Sequence, residues 1–235
     1  MSRRRSLLSG GLGVGDGLVL FLTAADNADI TQTSGSVTAW NDKSVSSNNA
    51  TEATNPPTLT TGGIGDKDSI TFPNDKSLTL DSTISLTGEY TMFFVNSAVF
   101  TGAAIKYLFS SGASAVTNRI GSLNTQKLFI RVLNGGTLDS SLDYPTGNNI
   151  LTITRDASDK VDAAFNGAAY TRLFSDAAQT GTSVWNAIGT DNEGVNTATW
   201  VGELGECLIF DRALNAQERT IVETWLSNLR SISLV

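Results

Sequence analysis

The sequence predicts an all-β sandwich that ends in one amphipathic helix. From Leu18 onward, short apolar or alternating runs are separated by turn residues, which is the pattern of β-strands. The 235-residue chain has 22 glycines and only 17% charged residues, a composition typical of a β protein with many turns. Near residue 215 the apolar spacing changes to a helical period. No Pro-, Gly- or Ser-rich linker divides the chain, so we expect one domain over residues 17–235.

The predicted strands are the apolar segments that lie between turn signals. They are Leu18–Thr23, Val37–Asn41, Ser69–Phe72, Ser77–Leu80, Tyr90–Phe100, Ile105–Ser110, Asn118–Gly121, Lys127–Leu133, Asn149–Arg155, Lys160–Phe165, Ala168–Leu173, Ser183–Ile188 and Thr197–Asp211. Asn166-Gly167 predicts a tight hairpin turn because both residues tolerate positive φ, and residues 134–136 predict a second hairpin. The polar run Asp42–Gly65 contains few apolar residues and predicts a long loop.

The C-terminal segment predicts a helix that packs on the sandwich. Asn215 followed by Glu218 is the pattern of a capping box at a helix start. The expected apolar face consists of Ile221, Trp225 and Leu229, with Val222 and Leu226 beside them. The expected polar face carries Glu218, Arg219 and Glu223. Because that face lacks a basic cluster, a membrane-surface helix is not expected.

Residues 1–16 are interpreted as an N-terminal anchoring arm. Arg3, Arg4 and Arg5, followed by Leu7 and Leu8, have some features of a secretory or twin-arginine signal. Several glycines and an aspartate break the apolar run, which argues against a signal. A basic arm on an acidic body is expected to contact an acidic groove or a phosphate on a partner. An ordinary flexible tail is the alternative interpretation.

The composition excludes several classes of protein. The chain has no histidine, which excludes Ser-His-Asp triads, Cys-His pairs and histidine metal sites. Its one cysteine, Cys207, excludes a disulfide framework and is expected to pack as a small apolar residue. A net charge of −7 argues against a generally basic nucleic-acid binder, and three arginines are too few for a dedicated nucleic-acid site. No run of apolar residues is long enough to predict a membrane span.

The ordered motifs of the chain resemble one family. These motifs are Gly17–Asp26, Val37–Ser44 with Asn48-Asn49-Ala50 after it, Pro57–Leu59, Asp68–Phe72, Leu151–Asp156, Phe165–Gly167 and Gly202–Leu214. Their order and spacing over about residues 17–230 resemble the laminin-G-like, concanavalin A-like jelly-roll domains of bacterial surface proteins and phage structural proteins. The resemblance implies two packed antiparallel sheets, that is, a jelly-roll sandwich. It does not imply one activity, because the fold hosts lectins, glycosidases and structural modules.

An enzyme of this family would need paired carboxylates on one face of one strand. Glu203 and Glu206 are the nearest candidates, but their spacing points them to opposite faces of a regular strand. Only a bulge at Gly205 would bring them to one face. We therefore expect no catalytic activity, with Glu206 paired to a base or placed at a sheet rim.

Ligand-binding residues are expected in the loops. Oxygen donors that could contact a glycan or a weakly held Ca²⁺ are Asp42, Asn48, Asp191, Asn192 and Glu193, although turn formation also explains such residues. No other cofactor is expected. The tryptophans Trp40, Trp185, Trp200 and Trp225 are expected in the core, and the aromatics left for sugar contact are Tyr107, Tyr144 and Tyr170.

The resulting hypothesis is a non-enzymatic bacteriophage virion protein. It would be a capsid decoration, fibre or tail component, anchored to other virion proteins by its N-terminal arm. A homo-oligomer is expected, with a trimer as one form, and its outer loops would contact a host surface glycan. The alternative is a secreted or cell-surface carbohydrate-binding module. A glycoside hydrolase is the third hypothesis.

Overall fold

The computed structural model describes residues 14–52, 54–73, 75–100, 105–111, 118–132, 139, 141–190 and 199–235. These residues form a mostly antiparallel β structure with one C-terminal helix, as the sequence predicts. The elements are β1 (Leu18–Thr23), β2 (Ile30–Thr33), β3 (Ser36–Trp40), β4 (Ala50–Thr51), β5 (Thr58–Thr60), β6 (Ser69–Phe72), β7 (Leu78–Thr87), β8 (Tyr90–Ala98), β9 (Lys106–Ser110), β10 (Arg119–Leu123), β11 (Lys127–Arg131), β12 (Asn148–Arg155), β13 (Val161–Phe165), β14 (Thr171–Arg172), β15 (Thr182–Ile188), β16 (Gly202–Phe210) and helix α1 (Ala216–Arg230).

The strands form two layers. The first layer, here called the helix-side sheet, has the order β6-β16-β8-β12-β13-β14, with β1 also paired to β16. The second layer, called the far sheet, has the order β11-β10-β9-β15-β7-β4-β3, with β2 paired to β3. Strand β5 joins the two layers because it pairs with β3 on one side and with β6 on the other.

The main hydrophobic core lies between the two sheets. Phe94 of the helix-side sheet meets Phe109 of the far sheet with ring centroids 5.7 Å apart, and Phe109 stacks on Trp185 at 5.3 Å. Trp40, Trp185 and Trp200 are fully buried, which confirms their predicted place in the core. Cys207 is also fully buried, as predicted, and burial raises the pKa of its thiol.

A second hydrophobic cluster lies between the helix-side sheet and α1. Phe93, Leu208 and Phe210 point from the sheet toward Val222 and Leu226 of the helix. The helix begins at the predicted capping box, in which the Asn215 and Glu218 side chains each bond the backbone of the other residue. The apolar face is displaced from the prediction. Ile221 is exposed, while Val222, Glu223, Leu226 and Arg230 are the buried positions.

The predicted polar face of the helix was wrong at Glu223. Its carboxylate is buried and accepts hydrogen bonds from the Thr152 hydroxyl at 2.7 Å and the Tyr170 hydroxyl at 2.8 Å. The prediction assumed that a charged side chain on a helix faces water. Here the two hydroxyl donors take the place of water around the buried carboxylate. Trp225 lies at the edge of the second cluster and is only partly buried.

Several strand predictions need correction. The run Asp42–Gly65, predicted as a loop, contains the short strands β4 and β5. The two strands have one buried residue between them, Ala50, so the sequence shows no alternation of buried and exposed residues there. Strand β2 was not predicted because only Ile30 of its four residues is buried. Strand β7 extends seven residues beyond the predicted Leu80, since its exposed middle is polar. Of the predicted strand Ala168–Leu173, only Thr171–Arg172 pairs.

The packed body begins before the predicted boundary at residue 17. Val14 is buried in the second cluster, and the Asp16 carbonyl accepts a hydrogen bond from Arg212 Nε at 3.0 Å. The rest of the predicted arm, which includes Arg3, Arg4, Arg5, Leu7 and Leu8, lies outside the described residues. Among the helices of the described chain, none is long and apolar enough to cross a membrane.

The junction between β16 and α1 predicts a pH-dependent stability. The Arg212 guanidinium donates to both Glu218 carboxylate oxygens, at 2.9 and 2.7 Å, and with the Asn215 backbone it lowers the pKa of Glu218 to about 2. A carboxyl with a depressed folded-state pKa stabilises the fold above its unfolded pKa, and this contribution is lost as pH falls toward 2. We therefore expect wild type to be more stable than Glu218→Gln at pH 6.

The measurement is urea unfolding of both proteins between pH 6 and pH 2.5. The stability difference should shrink steadily below about pH 4.5. The exposed Glu89, in the turn before β8, provides the control Glu89→Gln. A wild-type advantage over Glu218→Gln that does not change with pH would contradict the assigned interaction.

Candidate functional site

A polar cleft opens beside the middle of β7. It has a volume of about 300 Å³ and lies between this strand, the loop of residues 42–49 and the ends of β1 and β16. Its lining residues are Val19, Ser46, Ser47, Asn48, Ser82, Thr83, Ile84, Ser85, Leu86 and Asp211. The loop and the middle of β7 therefore form two facing walls of one depression.

The loop of residues 42–49 is fixed by the carboxylate of Asp42. One oxygen accepts from the backbone N–H groups of Phe21 and Ser44, both at 2.8 Å. The other accepts from the Ser44 hydroxyl at 2.7 Å and the Asn48 N–H at 2.8 Å. Four donors on one carboxylate, including one from β1, satisfy the polar groups of the loop and tie it to the helix-side sheet.

The other end of the loop is clamped to β7. Asn48 donates from its side-chain amide to the Ser82 carbonyl and accepts from the Ser82 N–H, both at 2.7 Å. Asn49 in turn accepts from the Asp42 N–H at 3.0 Å. Ser47, between the two fixed ends, has a left-handed backbone with φ 50°, which is costly for a residue other than glycine. The loop is thus held in one conformation while Ser46 and Ser47 stay exposed.

A bulge in β7 builds the facing wall. Opposite Trp185 and Ala187 of β15, the register of β7 jumps from Ile84 to Thr79. The extra residues displace Ser82 and Thr83 outward, and both are exposed. Their position next to the clamped Asn48 explains why the cleft forms at this point of the far sheet.

The chemistry of the cleft suits a ligand with many hydroxyl groups. Five lining side chains carry a hydroxyl and one carries a carboxylate, while the Asn48 amide is already bonded to the Ser82 backbone. The partly buried Val19 supplies apolar surface, whereas the side chains of Ile84 and Leu86 are buried in the core. Hydroxyls both donate and accept hydrogen bonds, and an apolar side chain can contact the C–H face of a sugar ring.

Two other depressions fit such a ligand less well. One, of about 350 Å³, is lined mainly by apolar residues, and the side-chain amide of its Asn166 is already bonded to Ile150 and Asn149. The other lies on the outer face of α1, and all of its lining residues, including Ile221 and Trp225, belong to that one helix. The cleft beside β7 is therefore the candidate functional site.

The candidate catalytic carboxylates have structural partners. The register of β16 against β8 shifts between Leu204 and Glu206, so a bulge at Gly205 is present, and the expectation of opposite faces was wrong. Glu203 accepts from the Ser69 hydroxyl at 2.6 Å. Glu206 is fully buried and receives the Arg230 guanidinium, with Nη2 at 2.6 Å and Nε at 2.8 Å. Its predicted pairing with a base is thus confirmed.

The Glu206–Arg230 pair fixes α1 to the sheet. Burial raises the pKa of Glu206, and the Arg230 guanidinium and the Thr23 hydroxyl offset part of that rise. Arg230 Nη1 also donates to the backbone carbonyls of Ile64 and Asp68, at 3.1 and 2.7 Å. These bonds assign Glu206 to the support of the fold.

The predicted ligand residues are distributed unevenly. Asn48 lines the cleft, whereas Asp42 positions the loop, so a direct ligand contact by either stays a prediction. Asp191, Asn192 and Glu193 lie outside the described residues. Within the described part of the chain, no group of three or more His, Cys, Asp or Glu side chains is placed to hold a metal ion. Binding of Ca²⁺ stays a prediction.

The aromatic residues predicted for sugar contact are not in the cleft. Tyr107 and Tyr144 are buried, and the Tyr144 hydroxyl donates to Asn96 at 2.6 Å. The Tyr170 hydroxyl is bonded to Glu223. The sequence predictions also missed the β7 wall, although the alternation of Ser and Thr with apolar residues over 83–87 was a usable signal for a strand with one polar, exposed face.

Comparison with solved structures identifies similar folds at low sequence identity. Domain 4 of AbnA, a GH43 extracellular arabinanase from Geobacillus stearothermophilus in complex with arabinotriose, is 14% identical with a TM-score of 0.60, covering 92% of this chain and 100% of that chain. The Trypanosoma rangeli sialidase in complex with sialic acid is 11% identical with a TM-score of 0.62, covering 90% of this chain and 33% of that chain. The binding domain of Paraclostridial Mosquitocidal Protein 1 is 16% identical with a TM-score of 0.59, covering 90% and 52%.

This chain thus spans about a third of the sialidase and about half of the mosquitocidal binding domain. No curated protein sequence matches it. A family model described as the concanavalin A-like lectin/glucanases superfamily matches residues 64–218, well over half of the chain. These residues include most of both sheets and the start of α1. The chain belongs to the concanavalin A-like lectin/glucanase superfamily.

Proposed function

We propose that this protein is a non-catalytic carbohydrate-binding domain that holds its glycan in the cleft between the loop of residues 42–49 and β7. The observation that carries the proposal is the preorganised polar wall of the cleft, which Asp42 and Asn48 fix before any ligand arrives. A fixed wall lowers the entropic cost of binding a sugar. The similar fold of an arabinanase domain bound to arabinotriose supports the ligand class.

The absence of catalysis is part of the proposal. Glycoside hydrolysis needs two carboxyl groups that face one sugar across a solvent-accessible site. In the pair Glu203 and Glu206, one member is fully buried against Arg230 and the other accepts from Ser69. Asp211 is the single carboxylate among the residues that line the cleft.

A bulky residue in the cleft is expected to abolish glycan binding. Ser85 is exposed on the β7 wall, so Ser85→Trp fills the depression without entering the core. We expect at least about a tenfold loss of affinity, since the indole would occupy the cleft and keep the sugar from contacting either the loop or β7. The measurement is isothermal titration of the full chain with neutral oligosaccharides, after a glycan array has identified a bound sugar.

The matched control is Thr180→Trp, an exposed position between β14 and β15 that lines none of the three depressions. Unfolding midpoints of both variants show whether the fold is retained. Equal sugar affinity for wild type and Ser85→Trp would place the binding surface elsewhere and overturn the assignment of the cleft.

The virion role is a finer proposal. The N-terminal arm proposed to attach the protein to phage particles lies mainly outside the described residues, and localisation on a virion and assembly into an oligomer are proposed with it. A glycan-binding domain on a virion would place the cleft where it contacts a host surface. The same cleft would serve a secreted or cell-surface module, so the two settings share one binding chemistry.

A further inference from the structure

We infer that the cleft selects neutral glycans and rejects glycans that carry a carboxylate, such as uronic and sialic acids. This inference rests on the proposed function and names the ligand class of the same site. It depends on Asp211, which follows β16 and lines the cleft opposite the β7 wall. The charge on this residue determines which sugars can approach.

Asp211 is positioned by its backbone and keeps its side chain available. Its N–H donates to the Gly17 carbonyl at 2.8 Å, which fixes the residue at the entry to β1. A side chain on Gly17 would come within 2.7 Å of Asp211 Oδ1, so the glycine leaves room for the carboxylate. Asp211 is exposed. The pKa of the neighbouring Arg212 guanidinium is raised mainly by its hydrogen bond to Glu218 and in smaller part by the charge of Asp211.

The cations near the cleft are already paired. Arg212, the next residue, donates two bonds to Glu218 and one to the Asp16 carbonyl. Lys43, in the loop, is 2.6 Å from Asp29. None of the lining residues is basic. Asp211 is therefore the one charged residue among those that line the cleft, while the adjacent Arg212, whose guanidinium also interacts with the Asp211 charge, is bonded to Glu218.

The consequences differ for the two kinds of sugar. A carboxylate accepts two hydrogen bonds side by side, so it can bind adjacent hydroxyls of a neutral ring. The serine and threonine hydroxyls that line the cleft can then donate or accept as the remaining groups require. A sugar carboxylate at the same place meets a like charge, on a chain whose net charge is −7, and must also lose its hydration.

The test compares matched neutral and acidic sugars. The probes are lactose with sialyllactose and galactotriose with galacturonotriose, titrated into the full chain at low and at physiological salt. Wild type is expected to bind at least one neutral member more tightly than its acidic match, by at least about tenfold at low salt. Asp211→Asn is expected to reduce that preference by at least about tenfold, because it removes the like charge and keeps the shape.

A charge-matched control separates a local effect from net charge. Asp143 is exposed and lines a different depression, so Asp143→Asn should leave the preference unchanged. Equal binding of neutral and acidic sugars by wild type, or an unchanged preference in Asp211→Asn, would overturn the inference and leave the proposed function standing. Failure of wild type to bind any member of these pairs or of a wider neutral panel would overturn both.

Discussion

Replacement of Arg230 by methionine is expected to lower the free energy of unfolding by about 3–5 kcal/mol. The guanidinium is fully buried and donates to Glu206 and to the carbonyls of Ile64 and Asp68. Methionine fills part of the volume but donates no hydrogen bond. Among the described residues, Glu206 would then keep only the Thr23 hydroxyl, at 2.9 Å, at a fully buried position. An unpaired buried carboxylate is among the most costly defects in a protein.

Urea unfolding measures this loss, with Arg172→Met as the control. Arg172 also contacts carboxylates, including Asp162 at 2.8 Å, but its side chain is 37% exposed, so its loss should cost about 1 kcal/mol or less. The double variant Arg230→Met with Glu206→Gln should recover part of the stability, because the buried charge is removed as well. Similar losses for Arg230→Met and Arg172→Met would contradict the assigned role of the buried pair.

Replacement of Asp42 by asparagine is expected to release the loop of residues 42–49 and weaken glycan binding. Both carboxylate oxygens accept from two donors each, so an amide NH₂ in place of either oxygen would face two donors. The expected loss of stability is about 2–4 kcal/mol. Because the loop forms one wall of the cleft, its release should also raise the dissociation constant for the bound sugar.

Two readouts distinguish the loop from the rest of the fold. Amide hydrogen exchange should accelerate at residues 44–48 of Asp42→Asn more than in the sheets. Asp81→Asn is the matched control, since Asp81 is exposed and its carboxylate accepts, within the described part of the chain, a single long hydrogen bond from Thr51 at 3.3 Å. Unchanged exchange in the loop and unchanged sugar affinity in Asp42→Asn would show that the carboxylate does not organise this wall.

The features that the sequence predicts correctly are those with a local or periodic signal. Trp40 lies within an apolar strand pattern, which predicts its burial. In the core its indole N–H donates to the Thr23 carbonyl at 2.8 Å. The capping box at Asn215 depends on two residues three positions apart, so its chemistry is visible without the fold. The turn at Asn166-Gly167 follows from the same local reasoning, and both residues have positive φ.

The features that the sequence does not predict depend on long-range contacts. The buried face of α1 is displaced because Glu223 and Arg230 meet partners on β12 and β16 that no helical pattern can reveal. The bulges at Gly205 and in the middle of β7 are defined by their pairing to neighbouring strands. Since the β7 bulge forms one wall of the cleft, the sequence predicted only part of the site. Asn48 was predicted there, whereas Ser82–Leu86 and Asp211 were not.

The most direct test of the binding cleft is an NMR titration of the full chain with neutral trisaccharides, including arabinotriose, xylotriose and galactotriose. Amide shifts are assigned by residue, so the experiment reports both whether a sugar binds and where it binds. We predict that a bound sugar shifts the amides of residues 44–48 and 82–86 together, with Asp211 as a third affected position. Shifts confined to the outer face of α1 or to the depression near Asn166, or no shifts with any trisaccharide, would contradict the proposed site.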